Sequence, residues 1–244
     1  MVIPIKKKRV KQLKRKNLKG IHIIIFVFTI LFLILTSIAM ILYSGGSWID
    51  ITAIGFNFKT NFFSDLSRRS TFLGASNLSS SIPFTIAIFL VGASLICLFV
   101  LFLRNFLFQK EFKKISIAIF VLGIMCALVY ISIGFTPFDI FPGTHSILII
   151  ISFCYLIILM VVYTARIFLY PEYPNFYGWL FVVFFILSCG YLVVILSQDF
   201  TEFIRYIKLR AIFQKIIVYT GIVILLTQTV GSLRFQKVIA SYEK

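Results

Sequence analysis

Long apolar blocks separated by short polar stretches run through this chain, and within the blocks the apolar residues follow one another without an amphipathic period. Blocks over residues 21–43, 80–103, 115–134, 145–167, 178–196 and 214–233 each approach or exceed the ~20 apolar residues that a helix needs to cross a bilayer. They predict an all-α, polytopic integral membrane protein of six transmembrane helices. The first block is too long for the ~7–15-residue core of a cleaved signal peptide, so it reads as an uncleaved first span.

The polar stretches divide the chain further. Residues 1–20 form a basic arm with nine Lys and Arg and no acid, residues 21–234 a transmembrane domain, and residues 235–244 a tail. The longest connection is the loop 44–79. Gly45-Gly46 ends the first span there, Trp48 is placed to anchor at an interface, and phenylalanines at 56, 58, 62 and 63 alternate with polar groups, as in an ordered cap. Pro83 falls in the first turn of the second span, where its missing N–H costs nothing. In the link 197–215, Asp199, Glu202, Arg205, Lys208 and Arg210 mix with Phe203, Ile204 and Ile207, a spacing that predicts a short interfacial helix ahead of the last span.

Composition sharpens this picture. Hydrophobic residues make up 60% of the chain and charged ones 13%, against about 25% charged in soluble domains. The formal charge of +16 sits beside the apolar blocks, which points to anionic lipid headgroups at the basic arm and not to nucleic acid. Six spans place both termini on one side. The arm, the second–third link, the end of the fourth span and the tail hold most of the 24 Lys and Arg, leaving seven for the other face, so the termini are expected in the cytoplasm and loop 44–79 outside, as a multi-pass protein of the cell membrane. Cys97, Cys126, Cys154 and Cys189 lie inside apolar blocks and read as small buried hydrophobes. The two histidines, His22 and His145, fall on opposite sides, so no metal site and no cofactor is implied. No ionisable group is expected deep inside a span, which argues against ion-coupled transport. Gln228 is the least ordinary polar residue within one, and a structural hydrogen bond is its expected role.

Candidate chemistry gathers on the loop side. Ser64, Asp65, Arg68, Arg69, Asp139 and His145 all lie in loops or at helix ends there. A carboxylate beside an imidazole makes an acid–base pair, so Asp139 and His145 are catalytic candidates, with Ser64 as nucleophile. The same six residues are candidates for ligand binding, Arg68 and Arg69 offering bidentate forks to a headgroup phosphate. A purely structural reading stands beside these: Asp65 capping a helix or pairing with Arg68, and His145 starting the fourth span. No Gly-x-Ser-x-Gly elbow occurs.

Six spans, a long first loop ending in Ser64-Asp65-Leu66, and Phe138-Asp139 followed by His145 resemble a prokaryotic membrane family of unknown function, the DUF nine-nine-eight type. Ser67 stands where that family's loop carries glycine. The layout is also similar to the wider group of DRAM autophagy modulators and FGF-receptor-activating, GPI-remodelling-type proteins. The resemblance implies lipid handling and carries over Ser64, Asp65, Asp139 and His145 as motif positions. The leading expectation is a lipid-associated membrane protein that binds a polar headgroup on its outer face. A membrane hydrolase or transferase using the Asp/His pair is the alternative, and a facilitative transporter or channel passing Gln228 a third. The sequence leaves the oligomeric state open.

Overall fold

Among the described residues six helices, α1 (Lys19–Ile41), α2 (Leu78–Phe106), α3 (Lys113–Phe135), α4 (Pro142–Phe168), α5 (Asn175–Leu196) and α6 (Phe203–Ser241), succeed one another in alternating directions. The computed structural model describes residues 18–106, 113–170, 173–197 and 203–241. All six helices are long and apolar enough to cross a membrane, and the chain is a multi-pass α-helical membrane protein. One end of the bundle carries the loop between α1 and α2, here called the loop end. The start of α1 and the end of α6 share the opposite, terminal end. Most of the basic arm and the tip of the tail, residues 1–17 and 242–244, lie outside the described residues, as do Glu172, Asp199 and Glu202.

Helices α2 to α6 form a ring, each packed on the next, and α6 returns to α2; α1 lies outside the ring against α2 and α6. Hydrophobic exclusion from water does not drive such packing inside a bilayer, so close approach and van der Waals fit must. The α2–α3 seam shows how. A Cβ on Gly92 would lie 2.3 Å from Ile131, one on Gly123 2.6 Å from Phe99, and one on Gly134 3.0 Å from Ile88, so each glycine receives a large side chain from the facing helix. At the terminal end a polar knot ties α1, α2 and α6: His22 Nε2 meets Ser232 Oγ at 3.2 Å, Asn105 donates to that hydroxyl at 2.9 Å, and Gln236 donates to Asn105 at 3.2 Å. Gln228, as expected, makes a structural bond, its amide donating to the Tyr177 carbonyl at 2.7 Å.

Two expectations are corrected. The interfacial helix and the last span are one continuous 39-residue helix, α6. No proline interrupts 203–241 and the first glycine is Gly221, so the charged residues decorate a helix without stopping it. Lys215, assigned by the sequence to the polar link, is therefore buried in α6 with 1% of its surface exposed. The cysteines are all free thiols, but Cys154 is exposed where a buried position was expected.

Between α1 and α2 the loop folds into an ordered cap with a 3-10 turn, Phe63–Ser67. Gly45 and Gly46 adopt φ of 108° and 84°, and a Cβ on Gly45 would strike the Ala53 carbonyl at 2.4 Å, so the turn leaving α1 demands glycine. Trp48 packs edge-on against Phe72 and Phe138 within the cap. Asn77, first residue of an Asn-Leu-Ser sequon, is fully buried: its amide donates to the Arg68 carbonyl at 2.9 Å and accepts from Ser44 N–H at 3.1 Å. This fold leaves no room for a glycan there.

Candidate functional site

The cap is organised around Asn61 and Asp65. The Asn61 side chain donates to the Gly46 carbonyl at 2.7 Å and to Asp65 at 3.3 Å, and accepts from Asn57 N–H at 2.9 Å. The Asp65 carboxylate reaches back to accept Phe62 N–H at 2.8 Å, which caps the 3-10 turn. Burial pushes this carboxyl up to about 6, even though those hydrogen bonds and the positive charges of Arg68 and Lys215 pull it down. Burial also raises the neighbouring Tyr43 hydroxyl, which donates to the Gly46 carbonyl at 3.1 Å.

Lys215 enters the cap from α6. Its ammonium donates to the carbonyls of Asn61 and Ala211, and sits 5.0 Å from the Phe58 ring and 5.5 Å from that of Phe56. One turn of main chain is thus bolted to α6 by a buried cation. A second fastening lies beside it, where Phe63 N–H donates to the Gln214 side-chain oxygen at 2.6 Å.

The remaining candidates form a seam rather than a reactive centre. Asp139 accepts Arg69 N–H at 3.0 Å and Ser70 N–H at 2.9 Å, so its carboxylate clamps the loop main chain. Arg68 donates through Nε to the Ser70 carbonyl at 3.2 Å and lies 4.0 Å over the Phe72 ring. From there Phe72, Trp48, Phe138 and His145 succeed one another edge to face. His145 is 1% exposed, and its Nδ1 donates to the Thr136 carbonyl at 2.6 Å. Its Nε2 is buried without a partner.

The expected Asp139–His145 acid–base pair is therefore not made. Each side chain spends its hydrogen bonds on main-chain groups, Asp139 on the loop and His145 on the α3–α4 turn. Asp65 does cap a helical turn, as the structural reading held, but it forms no ion pair with Arg68. Arg69 is half-buried and enters the seam by its main-chain N–H. Ser64 makes no hydrogen bond with His145 and turns toward the helix ring.

Ser64 faces a cavity of about 170 Å³ at the centre of the helix ring. Phe63, Ser64 and Gln214 line its loop end. Below them the wall is mostly apolar: Phe84 to Phe102 on α2, Cys126 to Ile133 on α3, Ile149 to Tyr163 on α4, Phe181 and Phe184 on α5, and Ile217 to Leu225 on α6, with Tyr130, Ser152 and Tyr163 as its hydroxyl-bearing members. The α2 wall extends roughly 27 Å along the helix axis, close to the ~30 Å hydrocarbon thickness of a bilayer. At the terminal end Phe102, Tyr163 and Phe181 pack together, with ring centroids 4.6 Å, 6.1 Å and 6.2 Å apart in the three pairs. These residues escape sequence reasoning because inward-facing and lipid-facing apolar positions look alike in a uniformly apolar span.

No family model, no curated protein and no solved structure significantly matches this chain.

Proposed function

We propose that this protein binds a membrane lipid, holding one hydrocarbon chain inside the helix ring with the lipid's polar end at Ser64 and Gln214. The observation that carries the reading is the cavity: narrow, largely apolar over most of the bilayer's thickness, with Ser64 and Gln214 at its loop end and only Tyr130, Ser152 and Tyr163 bringing hydroxyls to the wall elsewhere. A water-filled conduction path would need polar groups along its length, whereas this wall offers almost none below Gln214. Catalysis at Ser64 would need a base within hydrogen-bonding distance, and the free ring nitrogen of His145, Nε2, makes no hydrogen bond to Ser64 or to any other group. With the termini in the cytoplasm, as the Lys and Arg asymmetry favours, the cavity's polar end faces outward and the basic arm meets anionic headgroups on the inner leaflet.

The cap serves this function by closing the loop end of the cavity. Phe63 and Ser64 are held over it by Gln214, by the Lys215 bolt and by the Asp139 clamp. Photo-crosslinking with a fatty acid bearing a diazirine at its methyl end tests the reading. Label is expected on peptides containing Phe102, Tyr163 or Phe181. Label confined to outward-facing residues such as Ile86 and Val121 would overturn it.

A further inference from the structure

One helical turn beyond the lining residue Gln214, α6 carries a cation that the sequence-derived candidates do not include. Arg210 stands on α6 one turn before Gln214, on the stripe that continues through Ile217 and Gly221 along the cavity wall. Its guanidinium lies 5.2 Å from the Tyr206 ring and 5.9 Å from the Phe62 ring, and Phe62 directly precedes the cavity-lining Phe63. The side chain as a whole is half-buried, and its Nε is buried with no hydrogen-bond partner. The carboxylates of the cap region are occupied, Asp65 by Phe62 and Asn61, Asp139 by Arg69 and Ser70, and the exposed Asp50 by Thr52.

An unpartnered guanidinium N–H beside an apolar cavity is a donor waiting for an acceptor. A planar fork of N–H groups matches a carboxylate or a phosphate in shape as well as charge, and a neutral headgroup supplies only the weaker half of that interaction. We infer that Arg210 anchors an acidic headgroup, so that the lipid taken by the cavity is an anionic single-chain amphiphile, its chain among Phe84, Val91 and Val218 and its carboxylate or phosphate on Arg210. This inference rests on the cavity being a lipid site, as proposed above.

Oleate and oleyl alcohol share one chain and differ in the charged group, and oleoyl lysophosphatidic acid replaces the carboxylate with phosphate. Binding of all three to the purified full-length chain in detergent at pH 8 is compared for wild type, Arg210→Gln, Arg210→Lys and Val218→Phe. Wild type is expected to bind at least one acidic ligand about tenfold or more tighter than the alcohol. Whether oleate or the lysophosphatidic acid is preferred identifies the acid. Arg210→Gln should bring the preferred acid down to the alcohol's affinity while leaving the alcohol itself unchanged, which also shows that the variant is folded. Arg210→Lys should keep part of the preference, and Val218→Phe should lose all three ligands. Equal binding of acids and alcohol by wild type, or a preference that survives Arg210→Gln, would overturn the Arg210 anchor and leave the cavity reading standing. Loss of all three ligands in Arg210→Gln would make Arg210 a structural residue and overturn the anchor too. Failure of wild type to bind any of the three would overturn the lipid reading itself.

Discussion

The Asp139 carboxylate accepts the main-chain N–H of Arg69 at 3.0 Å, joining two segments seventy residues apart. With the adjoining bond to Ser70 N–H, this single side chain holds the end of the cap to the α3–α4 turn. Replacing it with alanine leaves two main-chain donors without their charged acceptor. Asp139→Ala is expected to lose about 2 kcal/mol of stability, and Asp139→Asn, which keeps one acceptor oxygen, less. Thermal unfolding in detergent measures the loss, and faster amide exchange at residues 69 and 70 localises it.

Asp65 gives the cap a pH dependence whose sign is opposite to that of an ion-paired carboxylate. Its folded carboxyl is raised to about 6 from the ordinary 3.8, so between about pH 4 and pH 6 the folded protein keeps a proton that the unfolded chain releases. Stability from this group is greatest at the acid end of that window, falls as the pH rises through 6, and is level above it. The full fall is on the order of 2–3 kcal/mol. Melting temperature against pH should show the slope in wild type and a flatter profile in Asp65→Asn.

Lys215 is a buried cation with two carbonyl acceptors and two aromatic neighbours. Lys215→Met preserves its length and apolar stem but strands the Asn61 carbonyl. It is expected to cost about 2 kcal/mol and to raise amide exchange across the cap while the α2–α3 seam stays protected. Equal loosening of both regions would mean that Lys215 supports the whole bundle and not the cap alone.

The seam itself depends on glycine. Because a Cβ on Gly92 would sit 2.3 Å from the Ile131 side chain, Gly92→Ala should destabilise by about 1–3 kcal/mol. The second-site change Ile131→Ala should restore part of that loss, since the two residues share one contact and their effects cannot be independent. Unfolding of the two single variants and the double variant completes the cycle.

Much of the architecture was legible in the sequence, because a bilayer allows few ways to satisfy a backbone. Six apolar blocks become six helices, but α2 starts at Leu78, so Pro83 lies inside it in the second turn and not in the first turn that the sequence assigned. The boundary of α6 was not legible: Arg205, Lys208 and Arg210 resemble the polar face of a surface helix, and only packing reveals that Lys215 turns inward to the cap. The candidate residues were found as a group but not in their roles. Asp139 and His145 bond to main-chain groups, which every sequence supplies, so their partners leave no trace in residue type. Ser64 was singled out as a nucleophile and emerges as part of a cavity wall. Arg210 was read as one more charge in a link, because its position above the cavity depends on α6 being continuous.

Native mass spectrometry of the purified protein tests the central claim most directly. Wild type should retain one lipid per chain after gentle removal of detergent, and a Val91→Phe/Val218→Phe variant with filled cavity walls should lose it while keeping a cooperative thermal transition. Wild type that emerges free of lipid in every preparation, or a folded variant that keeps the same lipid, would contradict a lipid-binding cavity.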